Sequence, residues 1–101
     1  MEVKEIFGKI GETVKQSVEN IDGWKKAILY IKKLSGNTGF DSAYIDSSGG
    51  EIKIDTTANY YTHKAIGELY KITQTQFPKH KDWNRAIFTL FPNNKFEIEY
   101  I

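Results

Sequence analysis

Residues 83–101 read WNRAIFTLFPNNKFEIEYI, with two apolar-rich runs on either side of the turn-forming residues at 92–94. Proline and asparagine at such a junction predict a β-hairpin. The second run alternates charged and apolar residues from 95 to 100, which is the pattern of a strand that buries one face. The stretch therefore predicts two paired antiparallel strands.

The first run of this hairpin carries apolar residues on both faces. Phe88 and Leu90 share one face, whereas Ile87 and Phe91 point the other way. The earlier run at 24–33, WKKAILYIKK, is also apolar on both faces, which is typical of central strands. Because only two helices are available, we expect one face of the sheet to remain partly uncovered. An exposed apolar patch of this kind commonly marks a partner or dimer interface. The alternatives are that loops and the N-terminus cover this face, or that the predicted register is wrong.

Three strands are predicted in the first half of the chain. The first is the run at 24–33, the second covers about 40–46, and the third covers 51–55. Turn-forming residues at 34–39 and 47–50 separate them. Short connections of this kind favour an antiparallel meander.

Two other segments follow helical periodicity. Apolar residues recur at helical spacing over 3–21 and again over about 59–76, where Pro78 ends the second helix. Gly8 and Gly11 weaken the first helix by roughly 1 kcal/mol each relative to alanine, and they allow close packing on a sheet. The candidate N-caps of the second helix are short polar residues, namely Thr56, Thr57 and Asn59.

These elements define one α+β domain over residues 1–101 with the order α-β-β-β-α-β-β. We expect a mainly antiparallel five-stranded sheet with both helices packed on one face. The predicted core consists of the apolar residues on the facing surfaces: Ile6, Phe7, Ile10, Val14, Ile52, Ile54, Ile66, Leu69, Tyr70, Phe88, Leu90, Phe96 and Ile98.

The composition favours a packed domain over a disordered chain. Of the 101 residues, 40% are hydrophobic and 27% charged, and the formal net charge is +1. Cysteine is absent, which excludes disulfides and thiolate metal sites. The first residues lack the apolar stretch of a signal peptide, and the apolar run at 27–31 is far shorter than the ~20 residues of a membrane span. We expect a cytoplasmic protein without membrane association.

No motif predicts catalysis, a cofactor or a metal site. His63 and His80 are the only histidines, and their spacing fits no metal-ligand motif. Gly8 and Gly11 lie within a predicted helix and lack the spacing of a phosphate-binding loop. A small enzyme with an Asp–His acid–base pair remains an alternative, which requires a histidine within hydrogen-bond reach of a carboxylate in a concave pocket.

Charged residues are unevenly distributed along the chain. Residues 41–55 carry four acids and one lysine, a local charge of −3, spread over ~15 Å of the predicted hairpin at ~3.3 Å per residue. They form either a solvated face that protects a sheet edge or an acidic partner-binding patch. A nucleic-acid-binding module is the alternative suggested by the basic and aromatic residues of the first strand, Trp24, Lys25, Lys26, Tyr30, Lys32 and Lys33.

The hairpin and the first strand together resemble a known family. Trp83, the run Ala86–Leu90, a short polar turn and the run Lys95–Tyr100 are similar to the end of the YezG-like immunity proteins. The Trp-Lys-Lys start at residues 24–26 and the order of the elements are also similar to that family. Its members are small bacterial antitoxins that bind and neutralise a cognate secreted toxin, often a nuclease.

The resemblance implies a binding protein without catalytic residues. We expect the C-terminal domain of a toxin as its partner, no direct contact with nucleic acid, and a monomer or homodimer in the free state. Tight neutralisation requires electrostatic complementarity and a few buried anchors. The candidate partner-binding residues are the acids of 41–55, the tyrosine among them and the two apolar residues of the uncovered face: Asp41, Tyr44, Asp46, Glu51, Asp55, Ile87 and Phe91.

Overall fold

The first helix arises from apolar residues four positions apart. In a computed structural model, which describes residues 2–34, 37–55, 60–76, 79 and 82–101, α1 spans Val3–Val18. Ile6, Ile10 and Val14 lie one turn apart on its buried face. The helix ends three residues before the predicted boundary, and Gly23 then adopts a left-handed φ of 75° that glycine tolerates without strain.

Five strands form one antiparallel sheet. They are β1 (Lys26–Leu34), β2 (Asn37–Ile45), β3 (Glu51–Ile54), β4 (Arg85–Leu90) and β5 (Phe96–Tyr100). Their spatial order is β3-β2-β1-β4-β5, so β1 lies at the centre with β2 and β4 as its neighbours. The central position predicted from the apolar residues on both faces of β1 is confirmed. The sheet and the α-β-β-β-α-β-β order also confirm the predicted α+β fold.

The turn predicted over 34–39 is too long, because residues 34 and 37–39 belong to strands. Leu34 pairs with Asn37, so both strands continue through most of this segment and β2 begins three residues earlier than expected. Gly39 pairs with Lys32 on β1 in the same ladder. Glycine and asparagine disfavour strands locally, but the pairing of a nine-residue central strand supplies interstrand hydrogen bonds that outweigh this preference.

The second helix, α2 (Tyr60–Gln76), packs beside α1 on the same face of the sheet. Ala65, Ile66 and Leu69 of α2 are buried in the core. A buried hydrogen bond of 2.7 Å joins the hydroxyl groups of Thr13 on α1 and Thr62 on α2. The predicted caps Thr56, Thr57 and Asn59 and the predicted terminator Pro78 lie outside the described residues.

The core lies between the helices and the sheet. Seven residues of the predicted core are buried: Ile6, Ile10, Val14, Ile66, Leu69, Phe88 and Leu90. Four others are partly buried against it: Phe7, Ile54, Tyr70 and Ile98. Ile52 and Phe96, by contrast, are 40% and 42% exposed, because β3 and β5 are the edges of the sheet and the helices cover its centre.

Trp83 is a core residue that the sequence reasoning did not include. Its side chain is 4% exposed, and its indole N–H donates a hydrogen bond of 2.7 Å to the hydroxyl of Thr73. The indole also contacts Tyr70 on α2 and Tyr100 on β5, with ring centroids 5.5 Å apart in each case. Trp83 therefore links the second helix to the last strand.

Candidate interaction surface on the open face of the sheet

Strand register divides the sheet into a face covered by the helices and a face that we call the open face. Ala27, Leu29 and Ile31 of β1 are buried beneath the helices. Because side chains alternate along each strand, the residues between them point to the opposite side. The strand residues of the open face are Lys26, Ile28, Tyr30, Lys32, Gly39, Asp41, Ala43, Ile45, Glu51, Lys53, Arg85, Ile87, Thr89, Glu97 and Glu99.

Charges on the open face are balanced. The described strands place four basic and four acidic side chains there, and all eight are exposed. The basic residues are Lys26, Lys32, Lys53 and Arg85, and the acidic residues are Asp41, Glu51, Glu97 and Glu99. This face carries no net charge. Its acidic pair, Glu97 and Glu99, lies on the edge strand β5, whereas its basic pair, Lys32 and Arg85, lies on the inner strands β1 and β4.

Tyr30 organises the centre of the open face. Its hydroxyl donates a hydrogen bond of 2.7 Å to a carboxylate oxygen of Glu51, two strands away. The path between these groups crosses Ala43, which is only 1% exposed although its side chain points to the open face. The hydrogen bond with Glu51 is the largest cause of the raised pKa of Tyr30, followed by burial and the charge of Glu51. The phenol therefore remains a protonated donor at neutral pH.

Apolar side chains occupy the middle of the same face. Ile28 and Ile87 are partly buried, and Ile87 lies between Tyr30 on β1 and Glu99 on β5. Phe91, which follows β4, lies beside Lys26, with the ammonium nitrogen 5.7 Å from the ring centroid. Such a contact is favourable by about 0.5–1 kcal/mol at an exposed site. These residues give the open face apolar surface between charged groups.

A hollow of about 540 Å³ opens at one end of this face. Gly39 lies opposite Lys32 and leaves space that a side chain would otherwise fill. Lys32 and Arg85 are adjacent across β1 and β4, and neither forms a salt bridge with a residue that the structure describes. Tyr30 and Ile87 also line the hollow. Asp41 lines it as well, so two basic side chains face one acidic side chain. The lining therefore suits an apolar side chain whose negatively charged end lies beside Lys32 and Arg85.

Four of the predicted partner-binding residues lie on this face. Asp41 and Ile87 flank Tyr30 in one row across three strands, and Glu51 reaches the same residue through its hydrogen bond. Phe91 lies at the other end, next to Lys26. The structure therefore brings together acidic and apolar candidates that the sequence places up to 50 residues apart.

The other three candidates lie elsewhere. Asp46 belongs to the turn between β2 and β3, where one carboxylate oxygen accepts hydrogen bonds from the backbone and hydroxyl of Ser48 and from the backbone of Gly50. Asp55 is exposed just after β3. Tyr44 pairs with Ala27 and is partly buried against the core on the helix-covered face.

The hydrogen bonds from Ser48 and Gly50 lower the pKa of Asp46, with the Ser48 hydroxyl as the largest cause. The carboxylate is therefore held in its charged form by the turn that it closes. This explains the position of Asp46 in terms of local structure, because its acceptor capacity is largely used within the turn.

The basic run of the first strand is divided between the two faces. Lys26, Tyr30 and Lys32 lie on the open face, whereas the ammonium of Lys33 lies 5.2 Å from the ring centroid of Tyr70 on α2. Trp24 precedes β1 and is partly buried against the core. Trp24 and Lys33 are thus separated from the three residues on the open face.

Histidine side chains form no site with carboxylates in the described part of the chain. His63 is exposed and contacts the ring of Phe40 at a centroid distance of 4.8 Å. His80 lies outside the described residues. Among the residues that the structure describes, no group of three histidine, aspartate or glutamate side chains could hold a metal ion.

The sequence reasoning missed Gly39 and the Lys32–Arg85 pair. Gly39 was assigned to a turn, so its effect on the shape of a strand surface could not be anticipated. The pairing of Lys32 with Arg85 depends on the contact between β1 and β4. The first residue of β4 follows the last residue of β1 by 51 positions in the sequence. The alternation of side chains within β1 and within β4 was the available signal. It does not show how the two strands are aligned with each other.

No family model matches the chain, and a search of curated proteins finds no match either. Neither of the two helices in the described residues has the length and apolar character needed to cross a bilayer.

Proposed function

We propose that this protein is an immunity protein that neutralises one toxin domain by binding it through the open face of the sheet. The observation that carries the proposal is the surface itself. On this face, the partly buried Ile28, Ile87 and Phe91 lie between exposed charges, and no helix of the described chain covers them. Apolar residues surrounded by a polar rim are typical of protein–protein interfaces.

Binding of this kind requires no chemistry from the immunity protein. Partner atoms that cover Ile87 and Phe91 would remove their remaining exposed area from water, which favours association by about 25 cal/mol for each Å² of apolar surface. The surrounding charges would fix the orientation and speed the encounter. The toxin loses activity when the complex covers its active site or holds it in an inactive conformation.

The assignment to toxin neutralisation is supported by the resemblance of the hairpin and the first strand to YezG-like immunity proteins. The hollow beside Gly39 adds a place where a protruding side chain of the toxin can anchor. Interfaces often depend on a few anchors in such pockets. Lys32 and Arg85 at its rim favour an anchor that ends in a carboxylate.

Nucleic-acid binding is the second candidate function. Lys26, Tyr30 and Lys32 favour it because they lie on one face. The four acids of the same face oppose it, since carboxylates repel phosphates, and the Tyr30 hydroxyl is already bound to Glu51. A titration with single-stranded RNA at about 50 and about 200 mM salt separates the two functions, because a nucleic-acid-binding protein shows a steep loss of affinity with salt.

The direct test is co-expression with any toxin domain that a neighbouring gene is found to encode. We expect the protein to rescue growth and to form a stoichiometric complex with that domain. Phe91→Asp should weaken the complex by at least about tenfold, because it places a charge among the apolar residues of the interface. Ile52→Asp is the matched control, since Ile52 is an exposed apolar residue on the helix-covered side of the sheet.

Gly39→Val provides a second variant that fills the hollow without damaging the strand. A Cβ at this position would lie 3.9 Å from the Cβ of Lys32, which is an ordinary contact. Valine also favours strand conformation over glycine. We expect weaker binding together with an unchanged or higher melting temperature. Full growth rescue by both Phe91→Asp and Gly39→Val would overturn the assignment of the interface to the open face.

A further inference from the structure

The outer edge of β5 presents backbone groups that face away from the sheet. The backbone N–H of Ile101 donates to the carbonyl of Arg85, and the N–H of Phe91 donates to the carbonyl of Lys95. These contacts mark hydrogen-bonded pairs at both ends of the β4–β5 ladder. Since such pairs alternate with non-hydrogen-bonded pairs in an antiparallel ladder, Phe96 and Ile98 direct their N–H and C=O groups away from β4.

The two faces of this edge differ in chemistry. On the helix-covered side, Phe96 is 42% exposed and its ring stacks on Phe88 with a centroid distance of 5.2 Å. It borders a groove of about 520 Å³ that Phe7, Gly8, Gly11 and Leu90 also line, and that we call the α1 groove. On the open face, Glu97 and Glu99 project from the same strand and are exposed.

The other edge of the sheet is less suited to accept a strand. The backbone N–H of Asp46 donates to the carbonyl of Gly50, which makes the ladder positions of Ile52 and Ile54 the hydrogen-bonded ones. The outward backbone groups of β3 therefore belong to Glu51 and Lys53, and β3 has only four residues. Compared with β5, β3 is one residue shorter and carries charges of both signs on one face, Glu51 and Lys53, so it offers an added strand fewer backbone partners and no uniform charge.

A second copy of the chain fits the β5 edge poorly in the register that pairs all five residues of both strands. Antiparallel pairing of two β5 strands about a two-fold axis at Ile98 would place Glu97 of each copy directly opposite Glu99 of the other. Like charges in directly opposed positions destabilise a strand pair. The same two carboxylates would attract a strand that carries basic side chains at alternate positions.

We propose that β5 accepts an extended segment of the toxin domain as a sixth strand of the sheet. This segment alternates basic residues, which lie beside Glu97 and Glu99, with apolar residues, which lie beside Phe96 and enter the α1 groove. Backbone hydrogen bonds to Phe96 and Ile98 supply affinity, and the alternating side chains supply specificity. The inference rests on the proposed function for the identity of the partner as a toxin, whereas the geometry of the edge is independent of it.

The test uses a synthetic peptide, so that it does not depend on the toxin. Its sequence, TVKVKVT, places lysine on one face and valine on the other, and the charge-reversed peptide TVEVEVT is its control. We expect the lysine peptide to bind at least about tenfold more tightly than the glutamate peptide. In NMR hydrogen exchange, the peptide should slow exchange of the Phe96 and Ile98 amides, whereas the Glu97 and Glu99 amides, already in the β4–β5 ladder, serve as internal references.

The double variant Glu97→Lys/Glu99→Lys should reverse the peptide preference, and its fold should be retained because both side chains are exposed. Equal binding of both peptides, or protection of amides only outside β5, would contradict the inference. The toxin experiment separates this result from the proposed function. If the double variant still neutralises the toxin while Phe91→Asp does not, the edge inference fails and the open-face proposal stands. If no toxin is neutralised but the peptide binds β5, the open-face proposal fails and the ability of β5 to accept a strand stands.

Discussion

Asp46 shows how one side chain can determine a turn. Its carboxylate accepts three hydrogen bonds from Ser48 and Gly50, at distances of 2.7 to 3.0 Å. Gly49, which lies between these two residues, has a φ of 89°, a conformation that glycine adopts without strain. Together these residues fix the length of the connection, and thereby the register that brings Glu51 within reach of Tyr30.

The lowered pKa of Asp46 predicts a specific dependence of stability on pH. Because the folded state binds the proton less tightly than the unfolded state, the carboxylate stabilises the fold at pH values above its ordinary pKa. This contribution is lost as the pH falls through the lowered pKa of the folded state. Asp46→Asn should therefore reduce the melting temperature at pH 7, and the difference from the unmodified protein should shrink under acidic conditions.

Thermal melting followed by circular dichroism between about pH 2 and pH 7 provides the measurement. Asp41→Asn is the matched control, since the Asp41 carboxylate accepts no hydrogen bond from the described residues and its loss should have a smaller effect. A constant difference between Asp46→Asn and the unmodified protein across this range would contradict the prediction.

The first helix illustrates how one element meets conflicting requirements. Gly8 and Gly11 both weaken α1, yet only Gly11 lies against the sheet, where an added Cβ would be 3.9 Å from the ring of Phe88. An added Cβ at Gly8 would have no neighbour within 4 Å. Both glycines line the α1 groove, but the packing role expected for both applies to Gly11 alone.

Gly8→Ala should stabilise the protein by about 0.5–1 kcal/mol, because alanine loses less backbone freedom on folding and the structure has room for its methyl group. Gly11→Ala should act in the same direction, since 3.9 Å is an ordinary contact distance. Gly23→Ala is the contrasting control and should destabilise, because its φ of 75° is strained for any residue with a Cβ. Urea denaturation measures all three, and destabilisation by Gly8→Ala would show that the glycine has a role beyond conformational freedom.

Individual elements could be predicted from their periodicity, but their lateral arrangement could not. The spacing of Ile6, Ile10 and Val14 defines a helix, and the apolar residues on both faces of β1 indicate its central place. The exposure of Ile52 and Phe96 depends instead on which strands lie at the edges. That order is set by contacts between distant segments, and local periodicity does not reveal such contacts.

The candidate site was predictable to a similar extent. Alternation within β4 separates Ile87 from Phe88 and identifies the second apolar face. The hydrogen bond between Tyr30 and Glu51 crosses an intervening strand, and the hollow depends on Gly39 being in a strand and not in a turn. These features require register, which the turn between β2 and β3 and the long central ladder determine.

At the scale of the whole molecule, the two faces of the sheet differ in burial and in charge. On one face, both helices and the two strands β1 and β4 contribute to a single cluster of buried residues, which gives the chain its stability. The other face carries balanced charges around partly buried apolar residues and is the proposed interface. A mutation such as Phe91→Asp can therefore change binding without disturbing the core, because Phe91 is absent from that cluster.

A single core predicts that the whole molecule unfolds in one cooperative step. Domains of this size with one continuous core usually behave as two-state systems. Trp83 reports on the tertiary packing, because it joins Thr73 on α2 to Tyr100 on β5, while circular dichroism at 222 nm reports on the helices. In a Trp24→Phe variant, whose fluorescence comes from Trp83 alone, both signals should give the same urea midpoint and slope. If the fluorescence changed at a lower urea concentration than the helical signal, the junction of α2 with β5 would open separately, and the helices and sheet would not form one cooperative unit.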